Sequence, residues 1–400
     1  MSKDEQEMKK EQGLKKVYMD YAATTPVDPR VVEAMSPYFT EKFANPLSLH
    51  QFGQEASEAL EKSRDVIADL MGARPNEIIF TGSATESNNL SLKGVAFANS
   101  GRGKHIITST IEHPCVLSSA KWLEQRGFKV TRLPVDRYGL VDPGQLEQAI
   151  RGDTILVSLM HASNEIGTIE PIRSIGEICA EKGVYFHTDA AQSFGKLEID
   201  VNTMHIDLLT ASSHKMYGPK GAACLYKRKG VKIEPLLHGG GHEFGLRSST
   251  HNISAIVGFV EAAKLCKKEM EGEAGRLTLL RDRLIKEILK MEGSKLNGHP
   301  TKRLPNNTNF SFAGVEGESM VMLLDSYGVA ASTGSACSST ELEPSHVLLA
   351  IGLRPQEAHG SLRLSLGRWT KKEEVDYVLE IMPRIVERLR TISPFKGWKE

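Results

Sequence analysis

Short apolar runs alternate along this chain with longer segments of helical period, and turn residues separate them. Residues 77–80 read as a strand, turn at Thr81-Gly82-Ser83-Ala84-Thr85-Glu86 and pass into a helix-like stretch to about Ala98. Residues 105–108 and 154–159 are likewise strands followed by loops and helices; residues 184–187 end at Thr188-Asp189-Ala190, and 222–226 follow the turn Gly218-Pro219-Lys220-Gly221. Runs apolar on both faces need cover on both sides, so the pattern predicts an α/β fold with a central, mostly parallel sheet between helices. Residues 253–289 read as a long amphipathic helix, and 306–312, 361–366 and 371–389 predict a smaller C-terminal α+β domain. With no low-complexity linker between them, the expected junction lies near residue 265.

Four hundred residues, 40% of them hydrophobic, suffice for a large core. Lys plus Arg equals Asp plus Glu at 50 each, so no global charge favours nucleic acid, and no direct nucleic-acid binding is expected. Neither a long apolar span nor an N-terminal apolar signal core is visible, which predicts a cytoplasmic protein without membrane association. The five cysteines, at 115, 179, 224, 266 and 337, are widely spaced and include no CxxC pair. Free thiols are expected, without a disulfide framework or an intrinsic metal site.

Three constellations carry chemistry. In the first, Gly82 allows a tight turn, and Ser83, Thr85 and the amides at the following helix start can hold an anion such as phosphate. Neither a GxxxxGK[ST] nor a GxGxxG pattern is present, and by itself the segment also reads as an ordinary capped turn. The second pairs Phe186-His187-Thr188-Asp189-Ala190-Ala191-Gln192 with Thr210-Ala211-Ser212-Ser213-His214-Lys215-Met216-Tyr217-Gly218. An aspartate at a strand's carboxyl end can hold a protonated heteroaromatic nitrogen, and a lysine in a small-residue loop can form an imine with an aldehyde. Taken singly, Asp189 also reads as a cap and Lys215 as a surface charge, and Gln192, His113, Asn164, Ser212 and His214 could each satisfy nearby backbone. The third is Ser332-Thr333-Gly334-Ser335-Ala336-Cys337-Ser338-Ser339, where one cysteine stands among small and hydroxyl-bearing residues. It reads as a thiol presented on a mobile loop, or as a cysteine buried in a turn.

With these segments, Val17-Tyr18-Met19-Asp20-Tyr21-Ala22-Ala23-Thr24-Thr25-Pro26 and Leu362-Arg363-Leu364-Ser365, nearly the whole chain resembles the pyridoxal phosphate-dependent cysteine desulfurases of the NifS/IscS type. The resemblance implies a fold-type I, aspartate aminotransferase-like enzyme and a homodimer. It also implies a large cofactor domain over 18–265 and a smaller domain formed by 1–17 and 266–400. It makes Lys215 the lysine that bonds pyridoxal 5'-phosphate, Asp189 the partner of the ring nitrogen and His113 the residue stacked on the ring. Thr85, Ser212 and His214 fall at phosphate positions, Ala84 is a further cofactor-binding position, and Thr250 falls at a phosphate contact offered to the neighbouring subunit. Gln192 would lie near the phenolic oxygen, Asn164 would position cofactor and substrate, and Arg363 would receive the substrate carboxylate. Cys337 matches the nucleophile of the short-loop class. The family more often has Gln at His242, Arg at Phe244 and Gly at Ser249.

The implied reaction converts L-cysteine to L-alanine and leaves a persulfide on Cys337, with Lys215 moving the α-proton and His113 a further catalytic candidate. Sulfur would pass to an iron–sulfur scaffold or another acceptor, and Cys337 is a candidate transient ligand to such a cluster. A selenocysteine lyase, another enzyme using the same cofactor, or a non-catalytic sulfur scaffold are the alternatives.

Overall fold

The apolar runs form a seven-stranded sheet in this computed structural model, which describes residues 16–333 and 344–393. Its strands are β1 (Ile78–Thr81), β2 (His105–Ser109), β3 (Lys129–Leu133), β4 (Thr154–Ser158), β5 (Tyr185–Asp189), β6 (Leu208–Ser212) and β7 (Ala223–Lys227). They lie in the order β1-β7-β6-β5-β4-β2-β3. Pairing is parallel throughout β3-β2-β4-β5-β6, while β7 is antiparallel to both β6 and β1. Every residue of β1, β2, β4 and β6 is buried, as strands covered on both faces must be. Strand β3 at the edge keeps its side chains at least partly exposed until its last residue, Leu133, and three of the first four are polar.

Two helices that bear on the candidate site start a few residues past strand ends. Helix α1 (Ala84–Asn89) runs on through a π turn, Leu90–Gly94, into Val95–Ala98. Ser83 caps it by accepting from the Glu86 N–H at 3.1 Å. Helix α2 (Pro114–Glu124) begins with proline at its first turn and His113 as its cap, and α3 (Ile172–Lys182) ends on Gly183 in the left-handed region at φ 65°.

The chain divides into two compact units. One comprises residues 24–164 and 168–271 and holds the seven-stranded sheet. The other comprises the N-terminal residues to 23, residues 165–167 and those from 272 on. Residues 165–167 group there because Asn309 donates to the Glu165 carbonyl at 3.2 Å and Arg303 to the Ile166 carbonyl at 2.9 Å. This second unit has an antiparallel sheet of β8 (Ser294–Leu296), β9 (Asn307–Phe312) and β10 (Ser361–Ser365), with β9 central. Val17–Tyr18 pairs in parallel with Val329–Ala330. The second half of α4 (Ile253–Ile288) joins α5 (Gly317–Ser326) and α6 (Lys372–Ile392) over a core that includes Leu284, Phe310, Met320, Leu364 and Met382. Among the described residues no helix is long and apolar enough to cross a membrane.

Candidate active site

Parallel strands run in one direction, so the segments that leave their carboxyl ends gather along one edge of the sheet. Strand β1, antiparallel to β7, which is itself antiparallel to β6, runs with the parallel set. That topology collects most of the candidates. Gly82 to Thr85 leave β1, His113 follows β2, Asn164 follows β4, Asp189 ends β5 with Gln192 just beyond, and Ser212 ends β6 ahead of a 3-10 turn, Ser213–Lys215. The chemistry this edge offers is a carboxylate, a primary amine, an imidazole and the amides of a helix start.

Asp189 is 8% exposed, and its carboxylate is held on both oxygens. The Ala191 N–H donates to Oδ1 at 2.9 Å and Asn88 Nδ2 to Oδ2 at 2.6 Å. The same Asn88 amide lies 3.3 Å from Cys115 Sγ, which is 3.0 Å from His113 Nδ1. Nδ1 also accepts the Cys115 N–H at 3.2 Å, so a neutral His113 carries its proton on Nε2. Burial, with the Asp189 charge adding to it, pushes the Cys115 thiol up to about 12, so this cysteine stays protonated and is no nucleophile. Beside His113, burial lifts fully enclosed Glu112 to about 8. Glu112 accepts from the Ser109 hydroxyl at 2.6 Å and the Met160 N–H at 3.0 Å, which ties the loops leaving β2 and β4 together.

At the head of α1 the first-turn amides, those of Ala84 and Thr85 among them, have no intrahelical acceptor, and the Thr85 side chain is exposed. The Ser83 hydroxyl is already occupied as the cap. Ser212 is 2% exposed, and His214 Nδ1 meets the Thr24 hydroxyl at 3.1 Å. Burial, reinforced by the charges of Lys215, Lys220 and Lys196, lowers the His214 pKa to about 4, so the ring is neutral at pH 7. Lys215 itself is half-buried on its turn.

Thr250 is exposed at the end of a segment that buried charges hold in place. Arg64 donates to both Glu243 oxygens at 2.8 and 2.9 Å, the Phe80 N–H donates to one at 2.7 Å, and His251 Nε2 lies 2.6 Å from the other. Burial alone would raise the Glu243 carboxyl; these bonds and the Arg64 charge outweigh it and hold it down at about 2. Two of the family departures fall here. Phe244, at φ 59°, lays its ring 5.0 Å from the Arg64 guanidinium, and His242 sits 5.3 Å from the His251 ring. Farther along the segment, Arg247 bonds Glu86 at 2.7 Å, and Glu86 accepts the Gly82 N–H at 2.8 Å, so Gly82 and Arg247 share one carboxylate.

In the second unit Arg363 lies mid-strand in β10 opposite Asn309, 2% exposed, with Nη2 2.9 Å from Asp20 Oδ1. Ser332 brackets it through the backbone, the Arg363 N–H donating to the Ser332 carbonyl at 2.7 Å. A planar guanidinium fixed in this way suits a carboxylate better than an ammonium would. Cys337 lies outside the described residues. The four described cysteines are free thiols, Cys115 half-buried and Cys179, Cys224 and Cys266 buried.

Sequence reading missed Asn88, Glu112, Lys196, the Arg64–Glu243–His251 cluster and Asp20 as supports. Asp20 and Glu243 lay inside segments already singled out; Asn88, Glu112, Lys196 and the Arg64–Glu243 pair each depend on at least one partner distant in sequence, which no local spacing reveals.

Residues 17–378 match the family model for aminotransferase class-V. A protein named cysteine desulfurase IscS from Dictyoglomus turgidum is 54% identical over 387 residues, 96% of this chain and 98% of that one. Another of that name, from Methanosarcina thermophila, is 55% identical over 380 residues, 95% of this chain and 94% of that one. Among solved structures, a NifS-like protein superposes with a TM-score of 0.88 at 40% identity, covering 94% of this chain and 100% of that one. A structure titled SspA in complex with cysteine has a TM-score of 0.79 at 41% identity, covering 88% of this chain and 98% of that one. The fold is thus the fold-type I architecture of NifS-like enzymes, and the chain belongs to the class-V aminotransferase family.

Proposed function

We propose that this protein is a pyridoxal phosphate-dependent cysteine desulfurase, which takes sulfur from L-cysteine, releases L-alanine and passes the sulfur on from Cys337. The observation that carries this reading is the gathering of Asp189, His113, Lys215 and the α1 amides along one sheet edge, in a chain more than half identical to proteins named cysteine desulfurase. The donor set fits the cofactor: a buried carboxylate for a protonated ring nitrogen, an amine for an aldehyde, and helix-start amides for a phosphate.

When bound, the cofactor supplies an electron sink for the bonds broken at the substrate. Lys215 anchors it and moves the substrate's α-proton through Nζ. Asp189 would keep the ring nitrogen protonated, its own charge held by Asn88 and the Ala191 N–H. His113 would orient the ring, Gln192 would meet the phenolic oxygen, and Ala84, Thr85, Ser212 and His214 would hold the phosphate. Arg363 would bind the substrate carboxylate, and Asn164 would help to position cofactor and substrate. The Cys337 thiolate then attacks the substrate sulfur; a sulfur–sulfur bond forms, the carbon–sulfur bond breaks, and a proton added at the carbon completes alanine. No outside oxidant or reductant is required. The test is L-alanine production from L-cysteine, with an amino donor plus a 2-oxo acid as the control for plain transamination; amino-group transfer without alanine release from cysteine would refute the reading.

The assembly belonging to this reading is a homodimer in which Thr250 reaches the neighbouring subunit's phosphate. A cluster of exposed apolar residues in sequence supports it: Phe39, Phe43, Leu47, Leu49 and Phe52 fall within 14 residues of sequence and are 59–93% exposed. Light scattering of the cofactor-loaded protein should give twice the chain mass, and the double substitution Leu49→Glu, Phe52→Glu should shift it toward monomer. An active protein that stays monomeric would sink the cross-subunit role of Thr250. Downstream, the sulfur is proposed to serve iron–sulfur cluster assembly through a scaffold protein, in the cytoplasm.

A further inference from the structure

The turn that carries Lys215 has no continuing helix to take up its carbonyls, and the protein satisfies them one by one. The Ser213 carbonyl accepts from the Met216 and Gly218 N–H groups at 3.0 and 3.1 Å. The next, that of His214, accepts both the N–H and the hydroxyl of Thr25, each at 3.0 Å. Two residues beyond, the Met216 carbonyl faces Cys266 Sγ at 3.4 Å. Between them, the Lys215 carbonyl is met at 2.9 Å by Lys196 Nζ. In this row Lys196 is the donor that carries a charge, and a charge-assisted bond is roughly twice as strong as a neutral one.

Lys196 does a second job with the same ammonium. Nζ also donates to the Gln192 carbonyl at 3.0 Å. One cation therefore ties the backbone of Lys215, after β6, to the backbone of Gln192, after β5. The close approach is prepared by the preceding residue. Gly195 sits at φ 80°, and a Cβ there would come within 2.8 Å of Met216 Cε and 3.2 Å of Cys266 Cβ. That left-handed backbone suits glycine, whose bare Cα lets the 193–197 turn lie close against Met216 and Cys266.

We propose that Lys196 is a positioning residue for the reaction: by clamping the Gln192 and Lys215 carbonyls it sets where the Lys215 amine stands relative to the ring's phenolic edge. This rests on the reading of Lys215 given above. Misplacement of a reacting group by about 1 Å can cost on the order of 100-fold in rate, and a side chain without a donor at 196 removes both bonds at once.

The test compares cofactor-loaded, full-length native protein with Lys196→Met and Lys196→Arg. Each is examined for folding, for kcat and KM with L-cysteine, for its visible spectrum, and for the peptide to which borohydride fixes the cofactor. Lys196→Met should still bind cofactor, lose roughly 10- to 100-fold in kcat with KM changed much less, and show a weakened or shifted lysine-linked absorption band. Lys196→Arg, able to bridge two carbonyls, should recover most of the lost kcat and the native spectrum. If native protein is not trapped on Lys215, the reading of that lysine fails. If native protein is trapped there while Lys196→Met keeps native kcat and spectrum, the positioning role alone is overturned. Should Lys196→Met not fold, Lys196→Gln, an uncharged and shorter donor, takes its place with a smaller expected loss in kcat and a shifted spectrum, and native kcat together with the native spectrum in that variant overturns the proposal.

Discussion

Replacing Cys337 with serine is expected to leave folding and cofactor binding intact while L-alanine formation from L-cysteine falls by roughly 100-fold or more, about 2.7 kcal/mol of activation free energy. An alcohol at this position is a far poorer nucleophile toward sulfur and cannot carry a persulfide. The described cysteines offer no substitute. Burial pushes the thiols of Cys115, Cys179 and Cys224 up, and Cys266 is buried against the Met216 carbonyl. The measurement is L-alanine release by native protein and C337S at equal cofactor content. Undiminished turnover by folded C337S would favour the selenocysteine lyase alternative, in which the thiol is dispensable.

Lys215→Ala is the second large effect. Without the Lys215 amine the cofactor can remain only by noncovalent contacts, and the group that moves the α-proton is gone, so activity should drop by at least about 100-fold. The Ala84 and Thr85 amides and Asp189 are untouched by the change, so added cofactor should still bind. Borohydride followed by peptide mass spectrometry should find the cofactor on the Lys215 peptide of native protein and on no lysine of the variant. Reproducible attachment to a different lysine in native protein would refute the assignment.

The layer architecture was legible because its determinants are local. Buried strands such as β2 and β4 are short apolar runs bounded by turns, and the long period of α4 is visible over many residues. The expected strand over 184–187 proved to run from Tyr185 to Asp189, so that Asp189 ends it. Strand β3, Lys-Val-Thr-Arg-Leu, escaped notice because an edge strand needs little apolar content, and the antiparallel setting of β7 follows from chain routing that no residue pattern records. At the site, the residues named for chemistry carried recognisable motifs, whereas their supports did not. Nothing in the sequence singles out Glu243 as buried; only the fold brings it against Arg64, Phe80 and His251. Lys196 likewise carries no signal in the sequence; its role appears only when its ammonium is seen between two carbonyls.

The central claim, that sulfur leaves L-cysteine onto Cys337 as alanine forms, is tested most directly by one brief incubation of native protein with L-cysteine before any reductant is added. Alanine is quantified and the protein is mapped by peptide mass spectrometry in the same sample. The account predicts close to one alanine per active site in the first turnover, matched by one extra sulfur atom on the peptide containing Cys337. Alanine formed in that stoichiometry with no sulfur on Cys337, or sulfur reproducibly on another cysteine, would contradict it.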